Sequence, residues 1–295
     1  MRYSDARMML LENISRAVIF LAVFLFSAPA VGSQESMLAL ARNGSGDEVA
    51  AALDQGASGS VRDIFAGTPL MLGDKLTEAP TGHGILVDRG AQVNATSRDG
   101  WTPLLAAARW NRNPEVLNLL LEAGAATEAR SEEGWTPLHW AAAGGDPGAV
   151  SALIRAGAPV NAEDQNGWTP LMLASLGRDE RLVELLIDAG ALVDQQDNFG
   201  RTALMRAAQN SNLSVTNTLL GAGASVEAED AIGRIPLFWA ARYNENPQVL
   251  QQLLEAGSDL RHRDRSNNTV WDLIRENPDL IGSAPYERLR RLFSE

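Results

Sequence analysis

Aromatic rings and guanidinium groups recur along this chain at regular intervals, and they are its best equipment for molecular recognition. Trp101, Trp135 and Trp168 each stand directly before Thr-Pro-Leu. Trp140, Arg206 and Trp239 occupy equivalent places a few residues further on, and three or four residues later come Arg109-Trp110, Gln209-Asn210 and Arg242-Tyr243. On a helix, spacings of three and four put side chains on one face. Exposed Trp, Tyr and Arg are the side-chain types that carry most binding energy at protein interfaces. The same tryptophans have a second use: packing each unit against its neighbour's turn. The spacing fits both uses.

Other chemistries lack their residues. The chain has no cysteine, which excludes disulfides, thiol catalysis and thiolate metal sites. No nucleophile elbow and no phosphate loop occurs. His83, His139 and His262 fall far apart, with no partner at metal-ligand spacing. His139 reads as a structural residue that locks a turn, and His83 and His262 read as loop residues. Carboxylate pairs such as Glu132-Glu133, Asp179-Glu180 and Glu229-Asp230 sit at turns, where a solvated surface accounts for them. The sequence therefore predicts no catalytic residue, no metal site and no cofactor.

The elements that must position the aromatic and Arg residues are repeated too. Gly100-Trp101-Thr102-Pro103-Leu104 returns as Gly134-Trp135-Thr136-Pro137-Leu138 and Gly167-Trp168-Thr169-Pro170-Leu171. Weaker copies begin at Gly67, Gly200 and Gly233. The intervals are 34 residues from Trp101 to Trp135, then 33 to Trp168, 33 to Arg201 and 33 to Arg234. Thr before Pro suits a helix start: the hydroxyl accepts an orphan backbone N–H, and Pro at the first helical position forfeits no hydrogen bond. A short Ala-rich helix follows, then a second helix rich in Leu, Ile and Val that ends at an Ala-Gly-Ala signal, as at Ala123-Gly124-Ala125. One such unit cannot bury its apolar face alone, so neighbours must stack.

The segment Thr136-Pro137-Leu138-His139-Trp140-Ala141-Ala142, followed by Leu153 to Ala162, resembles an ankyrin repeat in both motif and period. The resemblance covers the chain from about Ser36 onward. It implies an all-α ankyrin-repeat solenoid of stacked helix-turn-helix units with short β-turn fingers, six or seven units counting both caps. It also implies a concave face lined by the first helices and the neighbouring turns. On that face lie Trp101, Arg109, Trp110, Trp135, Trp140, Trp168, Arg206, Trp239, Arg242 and Tyr243. Departures from the pattern are Ala203 and Ile235 in the Thr-Pro pair, and Leu105, Met172, Met205 and Phe238 in place of His.

The unit boundaries follow the period. Residues 36–66 read as an N-terminal capping repeat and 67–100 as a degenerate repeat. Repeats follow at 101–134, 135–167, 168–200, 201–233 and 234–268, then C-terminal capping helices at 269–295. Within the degenerate unit, Gly73, Pro80, Gly82 and Gly84 break the helical pattern and predict an irregular link.

Residues 1–32 do not fit the repeat. Arg2, Arg7 and Arg16 precede an apolar run from Ala17 to Phe26, then small residues from Ser27 to Ser33. That is the layout of a secretory signal peptide. Even extended to Val31 the segment has 15 residues, short of the roughly 20 needed to span a bilayer. The expectation is export to the periplasm or beyond; the alternative is an inner-membrane anchor formed by the uncleaved segment. Removing residues 1–30 takes away three Arg and two acids, leaving 22 basic against 35 acidic residues. So acidic a chain argues against a nucleic-acid partner and against an anionic membrane surface.

These readings converge on a monomeric, non-catalytic protein-binding scaffold of the bacterial envelope or extracellular space. The longer turns and the tail resemble those of exported bacterial ankyrin-repeat proteins. Alternatives are a protective or stress-related envelope factor, or a non-catalytic subunit of an enzyme complex.

Overall fold

The computed structural model describes residues 34–76, 80–111 and 113–294. The expected signal peptide lies outside them. Among the described residues there are 16 helices and no strand. The helices form eight consecutive pairs: α1 (Gln34–Asn43) and α2 (Gly46–Asp54), α3 (Pro69–Leu76) and α4 (Pro80–Asp88), α5 (Pro103–Trp110) and α6 (Pro114–Glu122), α7 (Pro137–Gly144) and α8 (Pro147–Arg155). The second half holds α9 (Pro170–Ala174) and α10 (Glu180–Asp188), α11 (Ala203–Gln209) and α12 (Leu213–Gly221), α13 (Pro236–Tyr243) and α14 (Pro247–Glu255), α15 (Val270–Ile274) and α16 (Ala284–Ser294). The first helices of successive pairs pack on one another, and so do the second helices, which gives two parallel columns.

Local chemistry starts each first helix where the sequence predicts. Thr102, Thr169 and Thr202 accept the N–H of Leu105, Met172 and Met205 at 3.3, 3.3 and 3.4 Å. Ile235 offers no such bond, and Pro236 starts α13 by fixed backbone geometry alone. The second helices present Val116, Leu117 and Leu120, or Leu182, Val183 and Leu186, to a core continuous from Met37 to Leu289. That spacing is the one-sided stripe of a core-facing helix.

Hairpin-like turns join the units side by side. Asn198 N donates to Asn166 O at 2.9 Å, Ala231 N to Phe199 O at 2.8 Å and Arg265 N to Ile232 O at 2.9 Å. These contacts are the β-turn fingers. Their tightness explains Gly200: its φ is +75°, and a Cβ there would come within 2.8 Å of Ala231 N. Any other residue would meet both a strained φ and a backbone clash.

Three expectations need correction. The glycines expected to form an irregular link are instead helical, since α3 runs through Gly73 and α4 contains Gly82 and Gly84, while residues 77–79 between them lie outside the described residues. Burial of Leu70, Met71 and Leu86 against the neighbouring pairs overrides the weak helix propensity of Gly. His83 consequently lies in α4, buried, rather than in a loop. The described residues form eight pairs, more than the six or seven units expected and one for each of the eight segments that the period marks off.

Candidate functional site

The aromatic and Arg residues sit on the first-helix column and the adjoining turn bases, in three groups. In the first, Trp101, Trp110, Trp135 and Trp140 form a contiguous cluster. Ring centroids are 4.5 Å apart for Trp101–Trp110, 5.3 Å for Trp101–Trp140 and 4.3 Å for Trp135–Trp140. The Arg109 guanidinium lies over this cluster, 3.9 Å from the Trp140 ring centre, 5.0 Å from Trp110 and 5.4 Å from Trp101. This is cation–π packing, in which the ring faces attract the charge.

The second group is Trp168, Arg201 and Arg206. Arg206 is buried, its guanidinium 3.9 Å from the Trp168 ring centre and 2.6 Å from the Asp197 carboxylate. Burial, then the neighbouring Arg201 charge, lowers its pKa to about 10, with Asp197 opposing. The third group is Trp239, Arg242 and Tyr243. The Trp239 and Tyr243 rings are 5.6 Å apart, and exposed Arg242 pairs with Glu276 at 3.3 Å.

Behind these groups stands a set of residues that the spacing argument overlooked. Asp164, Asp197, Asp230 and Asp264 recur three residues before the turn position. In each, one carboxylate oxygen accepts two backbone N–H groups of its own turn; for Asp197 these are Phe199 N at 2.8 Å and Arg201 N at 2.9 Å. The other oxygen reaches into the recognition groups. Asp164 accepts the Trp135 indole N–H at 2.9 Å and Asp230 the Trp239 indole N–H at 3.1 Å. Asp197 holds Arg201 and Arg206, and Asp264 holds Arg234. The signal was a recurrence of Asp every 33 or 34 residues, hidden because acidic turn residues read as solvated surface.

Two further residues emerge from the structure. Phe199 and Ile232 are 54% and 49% exposed at the tips of adjacent fingers. Other fingers carry Asp99, Glu133, Asn166 and Ser266 at that place, so these two form a local apolar step. The sequence signal was a change from polar to apolar at one repeat position.

The candidate residues therefore divide. Trp140 and Arg206 are buried, where the sequence placed them on an accessible stripe. Trp101, Arg109, Trp110, Trp135, Trp168, Trp239 and Tyr243 are half-buried, with one side on the stack and one side accessible, and Arg242 is exposed. His139 is wholly buried and bridges two units. Its Nδ1 accepts from Thr136 N at 3.1 Å and lies 2.8 Å from the Thr136 hydroxyl, while Nε2 donates to the Trp168 carbonyl at 3.0 Å. His262 Nε2 bonds the Gly233 carbonyl at 2.8 Å, the same kind of inter-unit tie. Among the described residues no group of three or more His, Asp or Glu has metal-binding geometry. None of their helices is long and apolar enough to cross a membrane.

Stacked helix pairs with a rigid aromatic and Arg face define a repeat-built interaction scaffold. A family model described as ankyrin repeats (3 copies) matches residues 81–164, 108–197, 141–230 and 177–264, and the chain belongs to the ankyrin-repeat family. Ankyrin repeats mark it as a protein-interaction domain. No curated protein matches the sequence.

Proposed function

We propose that this protein is a non-catalytic scaffold of the bacterial envelope or extracellular space, binding one protein partner as a monomer on its concave face. One observation carries the reading. The half-exposed rings of Trp135 and Trp239 are each fixed from behind by a part-buried hydrogen bond to a turn carboxylate. Rings already locked in place lose little side-chain entropy on binding, so their contact area converts efficiently into affinity.

The mapping experiment starts with the chain lacking residues 1–32, used to capture a partner from an envelope fraction. Affinities of folded variants are then compared. Trp239→Ala or Tyr243→Ala is expected to weaken binding by roughly 2 kcal/mol or more, the scale of an interface anchor. Arg290→Ala, on the terminal helix α16, changes it far less. Circular dichroism confirms that each variant is folded. If the two aromatic variants bind like the parent while Arg290→Ala does not, the partner sits on the C-terminal end and the concave-face reading is wrong.

Export rests on the N-terminal sequence, whose apolar run ends in Ser27-Ala28-Pro29-Ala30-Val31-Gly32-Ser33. The expected mature N-terminus is Val31 or Ser33, read by N-terminal sequencing of the protein recovered outside the inner membrane. Recovery only as a full-length, membrane-held chain would instead establish the anchor.

A further inference from the structure

In two units nine residues separate the turn carboxylate from a side chain that it holds on the first helix. Asp197 meets Arg206 at 2.6 Å and Asp230 meets the Trp239 indole N–H at 3.1 Å. The corresponding pair one group earlier is Ser131 and Trp140. Ser131 is too short to replace the carboxylate, and its hydroxyl is bonded to Glu133 at 2.7 Å. The Trp140 indole N–H is consequently buried with no acceptor, although the side chain is only 8% exposed. A buried donor without an acceptor is costly and rare.

A second donor beside it, half-exposed to solvent, has no acceptor within the protein. Arg109 rests on the Trp140, Trp110 and Trp101 rings. Among the described residues it has no hydrogen-bond acceptor and no ion-pair partner, whereas Arg206 and Arg242 each have a carboxylate. Burial lowers its pKa, and the more distant Glu133 charge only partly opposes this. The guanidinium stays charged all the same. Two donors without an internal acceptor thus lie side by side where two other units have a turn carboxylate nine residues before the helix side chain and this one has Ser131.

We infer that Arg109 and Trp140 form a carboxylate site, filled by an acidic side chain of the protein partner. This rests on the concave-face reading above. Arg109 is half-exposed and meets the incoming carboxylate first, offering the paired N–H groups that suit it. A carboxylate held there stands beside the Trp140 ring, whose indole N–H is the next donor without an acceptor. The rest of the surface supports selectivity: with a net charge of −12 the chain repels acids elsewhere, so a partner carboxylate is admitted where the uncompensated guanidinium stands.

The test uses N-acetylglutamate as the probe and N-acetylglutamine as its neutral twin, with the tryptophan indole resonances observed by ¹⁵N NMR. Trp140→Phe assigns the Trp140 signal. The expected result is a saturable downfield shift of that signal with N-acetylglutamate, weak and on the millimolar scale, and none with N-acetylglutamine. Arg109→Gln should abolish the response. Ser131→Asp should move the signal downfield without any probe, remove the response, and raise the thermal midpoint, because it restores the internal carboxylate. No saturable shift with N-acetylglutamate, an equal shift with both probes, or a response that survives in Ser131→Asp overturns the assignment. These outcomes are independent of the partner mapping, which can succeed on Trp239 and Tyr243 while this site fails.

Discussion

Asp197→Ala is expected to be among the most damaging single substitutions in the described array, costing about 3–5 kcal/mol, the range for breaking one side of a buried ion pair. Its carboxylate bonds two turn N–H groups, Arg201 Nε at 2.8 Å and Arg206 Nη2 at 2.6 Å. Removing it leaves the Arg206 charge buried against Trp168 with nothing to compensate it. The diagnostic control is the double variant Asp197→Ala with Arg206→Leu. Replacing a buried pair by apolar side chains is often near neutral, so the double variant should recover a large share of the loss. Some loss should persist, because the turn N–H groups still lack their acceptor. Urea unfolding measures both. A single variant within about 1 kcal/mol of the parent, or a double variant no better than the single, would mean that Arg206 finds water and that the pair is dispensable.

Acid should unlock the array at His139. Burial, opposed in part by the bond to the Trp168 carbonyl, lowers its pKa from 6.5 to about 4. The bonds to Thr136 N and the Trp168 carbonyl are both satisfied only in the neutral tautomer protonated at Nε2. In the unfolded chain the group takes up a proton near pH 6.5, and in the folded chain only near pH 4. Between those values the unfolded state binds more protons, so stability falls as pH falls. The contribution is complete above the unfolded pKa and is lost as pH drops to about 4, a change on the order of 3 kcal/mol. Asp272, held below the usual carboxylate range chiefly by the Thr269 N–H, loses its contribution at lower pH than this window. Thermal melts across pH 4–7 should therefore slope steeply for the parent and flatten for His139→Gln. Parallel slopes for the two proteins would show that His139 is protonated in the fold without penalty.

The period determined the most. A phrase of Thr, Pro and Leu returning every 33 or 34 residues contains a helix cap, a helix start and a core anchor. Local rules for each suffice to place α5 through α15. Where those rules conflicted, as at Gly73 and Gly84, propensity lost to burial, because a helix in a stack is stabilised mainly by the neighbour it covers. No single-unit pattern carries that information.

The site was legible by position and not by state. Equivalent spacing put Trp140, Arg206 and Trp239 on one column, and the structure keeps them there. Spacing alone could not say that Arg206 is buried and paired while Arg109 has only ring faces. That depends on what stands nine residues earlier and one unit away: Asp197 in one case, Ser131 and the neighbouring tryptophans in another. The repeat thus determined which side chains share a face. Which of them are bound internally and which are left to meet a partner was decided only when the turns folded over the helices, because a hydrogen bond or ion pair is satisfied by proximity in space and not by order along the chain.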